Sequence, residues 1–108
     1  MARKSLLKDK PEVLLKAYKK ALQSAGIPVE RMIMFGSYAQ GKARYDSDLD
    51  VGVVSKLFGK NGFEEMVMLS KIATNIEPLI EPHPLSPRML DDKWDSLAQE
   101  IKRYGKDI

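Results

Sequence analysis

Apolar residues near the start of the chain return at steps of three and four residues. Between residues 10 and 25 this period predicts one amphipathic helix with lysines on its outer side. Asp9 and Glu12, three residues apart, have the spacing of a capping box, and Pro11 suits the first turn. Gly26 suits the position after the last turn, so we expect the helix to end there.

Two shorter apolar runs predict buried strands instead. Residues 28–35 finish in an uninterrupted apolar run before Gly36, and residues 49–55 are rich in valine. The segment between them is polar and contains glycines. It predicts a short helical turn at residues 38–40 followed by a loop.

The second half of the chain predicts a helix, an extended segment and a last helix. Residues 63–75 have apolar positions at helical steps, whereas residues 76–85 contain three prolines and cannot be helical. We expect that proline-containing segment to be an edge strand. Ser86 and Pro87 have the pattern of a helix start, and we expect an apolar stripe of the last helix to pack on the sheet. That stripe consists of Trp94, Leu97, Ile101 and Tyr104. The order of elements predicts an α/β or α+β fold, a small mixed β-sheet flanked by helices.

Composition excludes several classes of site. The chain has 108 residues, which suits a single domain over residues 1–108, and its 44% hydrophobic content is typical of a globular protein. It has no cysteine, which excludes disulfides, thiolate zinc sites and a cysteine nucleophile. His83 is the single histidine, which argues against a histidine-based metal site or a Ser-His-Asp triad. No apolar run reaches about 18 residues, so we expect no membrane span and a cytoplasmic protein.

Positive charge is concentrated at the start of the chain. The net charge is +3, and residues 1–20 carry seven basic and two acidic side chains. Such a segment attracts polyphosphate or nucleic acid, although a solvated lysine face of a helix has the same composition. No aromatic residues alternate with these lysines to form a stacking platform for single strands. Nucleic acid therefore stays open as a partner.

Asp48 and Asp50 form the first candidate for chemistry. They are two residues apart at the start of a predicted strand, so both carboxylates leave the same face while Leu49 and Val51 point into the core. Two carboxylates this close repel each other, and Mg²⁺ relieves that repulsion because it prefers oxygen ligands. The alternative is an acidic pair on a solvent-facing strand.

A glycine-containing turn precedes these acids. Gly36 and Ser37 follow a predicted strand, where free backbone N–H groups and a missing side chain allow a phosphate to approach. Gly41 permits a tight exit from the turn, and Lys42 and Arg44 in the following loop can reach a triphosphate. The alternatives are an ordinary turn and two exposed surface charges.

The combination is more specific than its parts. Within FGSYAQGKARYDSDLDVGVV, the matching residues are Gly36, Ser37, Gly41, Ser47, Asp48 and Asp50. This pattern resembles the signature of the polymerase-β-like nucleotidyltransferase superfamily, and in particular the minimal nucleotidyltransferases (MNT). The resemblance implies the polymerase-β-like nucleotidyltransferase fold.

The resemblance also implies roles for residues. Gly36 and Ser37 would bind nucleotide phosphates, with Ser47 orienting the acids. Asp48 and Asp50 would coordinate two divalent ions, Mg²⁺ or Mn²⁺.

A third carboxylate is expected from a later strand. Glu81 is preferred and Glu77 is the alternative; on a strand both would share a face with Leu79. His83 would share that face too. We expect an exposed or capped histidine there, the alternative being contact with a base or a phosphate.

Members of this group transfer a nucleoside monophosphate, and some pair with a small helical HEPN-type toxin. The resemblance therefore implies magnesium-dependent transfer of AMP from ATP to a hydroxyl group on a partner protein, in an antitoxin role. Two alternatives remain: a non-catalytic binding antitoxin of the same fold, and a basic nucleic-acid-binding module. Homo-oligomerisation is also left open.

Overall fold

The two apolar runs form the centre of a four-stranded sheet. The computed structural model describes residues 5–108, with strands β1 (Arg31–Phe35), β2 (Leu49–Val54), β3 (Ile80–Leu85) and β4 (Lys106–Asp107). Their order is β3-β2-β1-β4, in which β1 is antiparallel to β2 and β4, and β2 is parallel to β3. The proline-containing strand β3 lies at an edge, as predicted, where a missing backbone donor is tolerated.

Helices cover both faces of this sheet. Helices α1 (Pro11–Ser24) and α2 (Gly62–Ile76) pack on one face, and the short α3 (Pro87–Leu90) and α4 (Ser96–Tyr104) on the other. Between α1 and α2, the buried Tyr18 hydroxyl donates to the backbone oxygen of Leu69 at 2.9 Å. Burial raises the pKa of this tyrosine, so it stays a neutral donor. The predicted mixed sheet flanked by helices is confirmed.

The period of two in β2 separates core from site. Leu49, Val51 and Val53 are buried against α1 and α2, so Asp50 leaves the opposite face. Further along that second face lies Gly52, where an added Cβ would be 3.2 Å from Leu85 and 3.3 Å from Ile101. Thus α4 is packed tightly over the end of β2 that is remote from the acids.

Several local predictions are wrong. The predicted capping box of Asp9 and Glu12 does not form. Lys10 is the residue before α1 and makes no side-chain capping bond, while the Asp9 carboxylate accepts the N–H of Lys10. By contrast, the short helical turn predicted at residues 38–40 is present as a single turn, in which the Gln40 N–H donates to the Gly36 oxygen at 3.1 Å. The predicted last helix is interrupted: Asp95 caps a new start by accepting the N–H of Ala98 at 3.0 Å.

The interruption changes the role of the two aromatic residues. Trp94 precedes α4 and is 85% exposed, and Tyr104 is also exposed. The prediction that both pack on the sheet is therefore wrong, while Ile101 of the same stripe is buried there. The short β4 was not predicted, since two residues carry no periodic signal.

No helix within residues 5–108 has the length and apolar content needed to cross a membrane.

Candidate functional site

Parallel pairing of β2 and β3 brings acids from distant parts of the chain together. The register sets Asp50 opposite Glu81 and Gly52 opposite His83. His83 Nε2 lies 3.4 Å from Asp50 Oδ1 and 3.9 Å from Glu81 Oε1. One potential ligand atom from each of these three side chains lies within 4.8 Å of the others. Neighbouring strands are about 4.8 Å apart, so side chains of paired residues on one face must meet.

The electrostatics of Glu81 show how closely the carboxylates approach. Partial burial, followed by the charge of Asp50, raises the pKa of the Glu81 carboxyl. The charge of Asp48 and a hydrogen bond with its side chain raise that pKa further, whereas His83 lowers it. Three carboxylates therefore converge and repel one another. Such a set of oxygen donors fits a divalent cation, which removes the repulsion.

Gly36 lies at the end of β1 and touches this cluster. Its φ is 75°, and a Cβ built at this position would overlap Oδ2 of Asp50 and lie 3.1 Å from its Cγ. Only glycine combines this backbone conformation with so close an approach to the carboxylate. The following turn is closed by the N–H of Lys42, which donates to the Ser37 oxygen at 2.9 Å. The sequence-predicted turn and Asp50 are thus adjacent.

The loop before Asp48 is closed by Ser47. Its Oγ accepts the N–H of Arg44 at 2.7 Å, and its own N–H donates to the Arg44 oxygen at 3.2 Å. Lys42 and Arg44 are exposed on this loop and take part in no ion pair within the described part of the chain. Both cations therefore stay available to an anion.

Glu77 does not join the cluster. It caps the end of α2, before β3 begins, so the predicted shared face with Glu81 is wrong. Its side chain is buried, and its carboxylate accepts the N–H of Lys8 at 2.8 Å and the N–H of Leu79 at 3.3 Å. The structure brings Glu81, and not Glu77, to Asp50.

His83 is the residue that sequence reasoning left out of the site. Its ring packs against Phe35, with centroids 5.1 Å apart, and its Nε2 faces the two carboxylates. Its spacing of two from Glu81 was visible in the sequence. The pairing of β3 beside β2, which sets His83 near Asp50, was not.

A family model described as "Nucleotidyltransferase domain" matches residues 15–104. No curated protein sequence matches the chain.

Solved structures share the fold. A toxin–antitoxin complex with AMP-PNP is 24% identical with a TM-score of 0.55; the match covers 85% of this chain and 69% of that one. A Sulfolobus solfataricus protein named as a nucleotidyltransferase is 22% identical with a TM-score of 0.56, over 94% and 86% of the two chains. A complex of a tri-AMPylated Shewanella oneidensis HEPN toxin with an MNT antitoxin is 19% identical with a TM-score of 0.57, over 91% and 71%. The fold is that of polymerase-β-like nucleotidyltransferases.

Proposed function

The chain belongs to the nucleotidyltransferase domain family and is a nucleotidyltransferase, and on that premise we propose that it transfers AMP from ATP to a hydroxyl group of a partner protein. The observation that carries this proposal is the pairing of Asp50 with Glu81 across β2 and β3, with Asp48 close enough for its charge to raise the pKa of the Glu81 carboxyl. We also propose that residues 1–108 form one nucleotidyltransferase domain.

In this proposal Asp48, Asp50 and Glu81 hold magnesium. When bound, the divalent cation neutralises charge on the triphosphate and on the leaving pyrophosphate. The approach of the Glu81 and Asp50 carboxylates supports this assignment, because their mutual repulsion adds to the effect of burial in raising the pKa of Glu81, and a divalent cation relieves such repulsion. His83, whose ring packs against Phe35, positions the Asp50 carboxylate through its Nε2.

The remaining residues bind and orient the nucleotide. Gly36 and Ser37 receive its phosphates at the start of the turn, where no side chain of residue 36 blocks the approach. Lys42 and Arg44 supply positive charge from the exposed loop, and Ser47 fixes that loop by its bond to the Arg44 N–H. Catalysis in such a site is mainly positioning and charge stabilisation.

The chemical step is a displacement at the α-phosphorus. The acceptor oxygen forms a bond to this phosphorus, the bond to the bridging oxygen of pyrophosphate breaks, and the acceptor proton passes to a carboxylate. We assign that proton transfer to Glu81, which lies beside Asp50 in the cluster.

The acceptor is proposed to be a HEPN-type toxin, with this chain acting as its antitoxin. Support comes from the fold neighbours, which include a toxin–antitoxin complex with AMP-PNP and an AMPylated HEPN toxin with an MNT antitoxin. We expect the transfer to inactivate the toxin.

The test uses α-labelled ATP, GTP, CTP and UTP with magnesium and a lysate of the source cells. Label on one discrete protein, strongest from ATP, is the expected result, and the double variant D48N/D50N should transfer none. Asp46→Asn is the matched control, because Asp46 is exposed on the same loop.

Other outcomes would contradict parts of the proposal. Label on RNA or on a small molecule would keep nucleotidyl transfer and exclude a protein acceptor. Absence of aspartate-dependent transfer would favour the non-catalytic binding antitoxin. Salt-sensitive nucleic-acid binding that survives D48N would favour the basic binding module.

A further inference from the structure

The outer face of α2 leaves a group of apolar side chains exposed. Phe63 is 79% exposed, and Val67 and Met68 are 36% and 38% exposed. Together with Ile72, Glu64 and Lys71 they line one open groove of about 390 Å³. These apolar side chains offer a contact surface for another molecule.

Two opposite charges flank this apolar group. Glu64 and Lys71 lie seven residues apart, which on a helix is about 10 Å along the axis. They are too far apart to pair with each other, and within residues 5–108 neither takes part in an ion pair. The face therefore carries an acid and a base that both lack a counter-charge.

We propose that this face of α2 is the interface of a homodimer, with α2 of a second copy packed antiparallel across a two-fold axis between Val67 and Met68. Phe63 then faces Ile72 of the second copy, and Glu64 faces Lys71 of the second copy. Each contact occurs twice, once on each side of the axis, as in any two-fold interface.

A second copy suits this face because the face is complementary to itself. Antiparallel pairing puts apolar residues opposite apolar residues and each carboxylate opposite an ammonium group. A parallel arrangement in register would put Glu64 against Glu64 and Lys71 against Lys71, which is repulsive. The charge pattern thus selects both the partner and the orientation.

The dimer leaves the nucleotide site open. Helix α2 packs on the sheet face that contains Leu49, Val51 and Val53, whereas Asp50 leaves the opposite face. The inference does not depend on the proposed function, and loss of the dimer should leave metal binding unchanged.

Charge reversal gives the test. In E64K each interface would bring two lysines together at both ends, and in K71E two glutamates. Either variant should weaken self-association by about tenfold or more, measured by sedimentation velocity over a range of protein concentrations.

Mixing decides whether this pairing is the one that forms. An equimolar mixture of E64K and K71E restores both opposite-charge contacts, so the mixture should associate more strongly than either variant alone. The double variant E64K/K71E should dimerise like the unmodified chain. Both positions are exposed, and circular dichroism controls for folding.

Three results would overturn the proposal. The unmodified chain could stay monomeric at every concentration. E64K and K71E could self-associate as strongly as the unmodified chain, which would place the interface elsewhere. The mixture could fail to associate, which would exclude the antiparallel pairing.

Discussion

Replacement of Gly36 by alanine tests the contact between the turn and the acids. An added Cβ would overlap Oδ2 of Asp50 and lie 3.1 Å from its Cγ and 3.2 Å from its Cβ. The backbone at φ 75° holds that Cβ in place, so the Asp50 carboxylate must move or rotate by about 1 Å. A displacement of this size in a catalytic group lowers a rate by about a hundredfold.

The backbone cost of the same substitution is separate from this displacement. A residue with a Cβ in the left-handed region is destabilised by about 1–2 kcal/mol. Gly41 has nearly the same φ, 70°, but a Cβ there would meet nothing within 4 Å. G41A therefore carries the backbone cost without the displacement and is the matched control.

Two measurements separate the effects. Urea unfolding should show a similar loss of stability in G36A and G41A. In G36A nucleotidyl transfer should fall about a hundredfold, and binding of Mn²⁺ to the nucleotide-free protein should weaken by about 10–100-fold. Both should change little in G41A. Equal loss of metal binding in both variants, or normal binding in G36A, would refute the role assigned to this contact.

Three further substitutions test the cluster. E81Q should raise the melting temperature of the metal-free protein at neutral pH and remove its stabilisation by Mg²⁺. A raised pKa of Glu81 means that the folded state binds more protons than the unfolded state. The unmodified metal-free protein should therefore lose stability as pH rises above 4.5 through the folded pKa, and E81Q should remove this contribution to the pH dependence. E77Q should cost about 1–3 kcal/mol in urea unfolding, because an amide N–H₂ would face a backbone N–H, yet retain Mn²⁺ binding; loss of binding in E77Q with retention in E81Q would make Glu77 the third carboxylate. H83A should weaken Mn²⁺ binding by about tenfold with an unchanged circular dichroism spectrum, and unchanged binding would remove the positioning role over Asp50.

Predictions from the sequence succeeded where periodicity or a special residue acts locally. The period of two in β2 correctly set Asp50 apart from the buried Leu49 and Val51, and the prolines of β3 correctly indicated an edge strand. The prediction of a continuous last helix failed, because Trp94 has the spacing of a helical stripe but lies before the start of α4 at Ser96. The spacing of apolar residues alone does not reveal that a new helix begins after the cap residue Asp95.

The sequence by itself determined the local pattern of the site: two aspartates two residues apart where β2 begins, a glycine turn before them, and strands and helices in the order of a mixed sheet flanked by helices. Only the tertiary structure decided between Glu77 and Glu81 as the neighbour of Asp50 and drew His83 into the cluster. Glu77 and Glu81 have similar local sequences, but Glu77 caps the end of α2 whereas Glu81 lies in β3. That choice depends on strand register, a contact between residues about thirty positions apart, which local propensity does not encode.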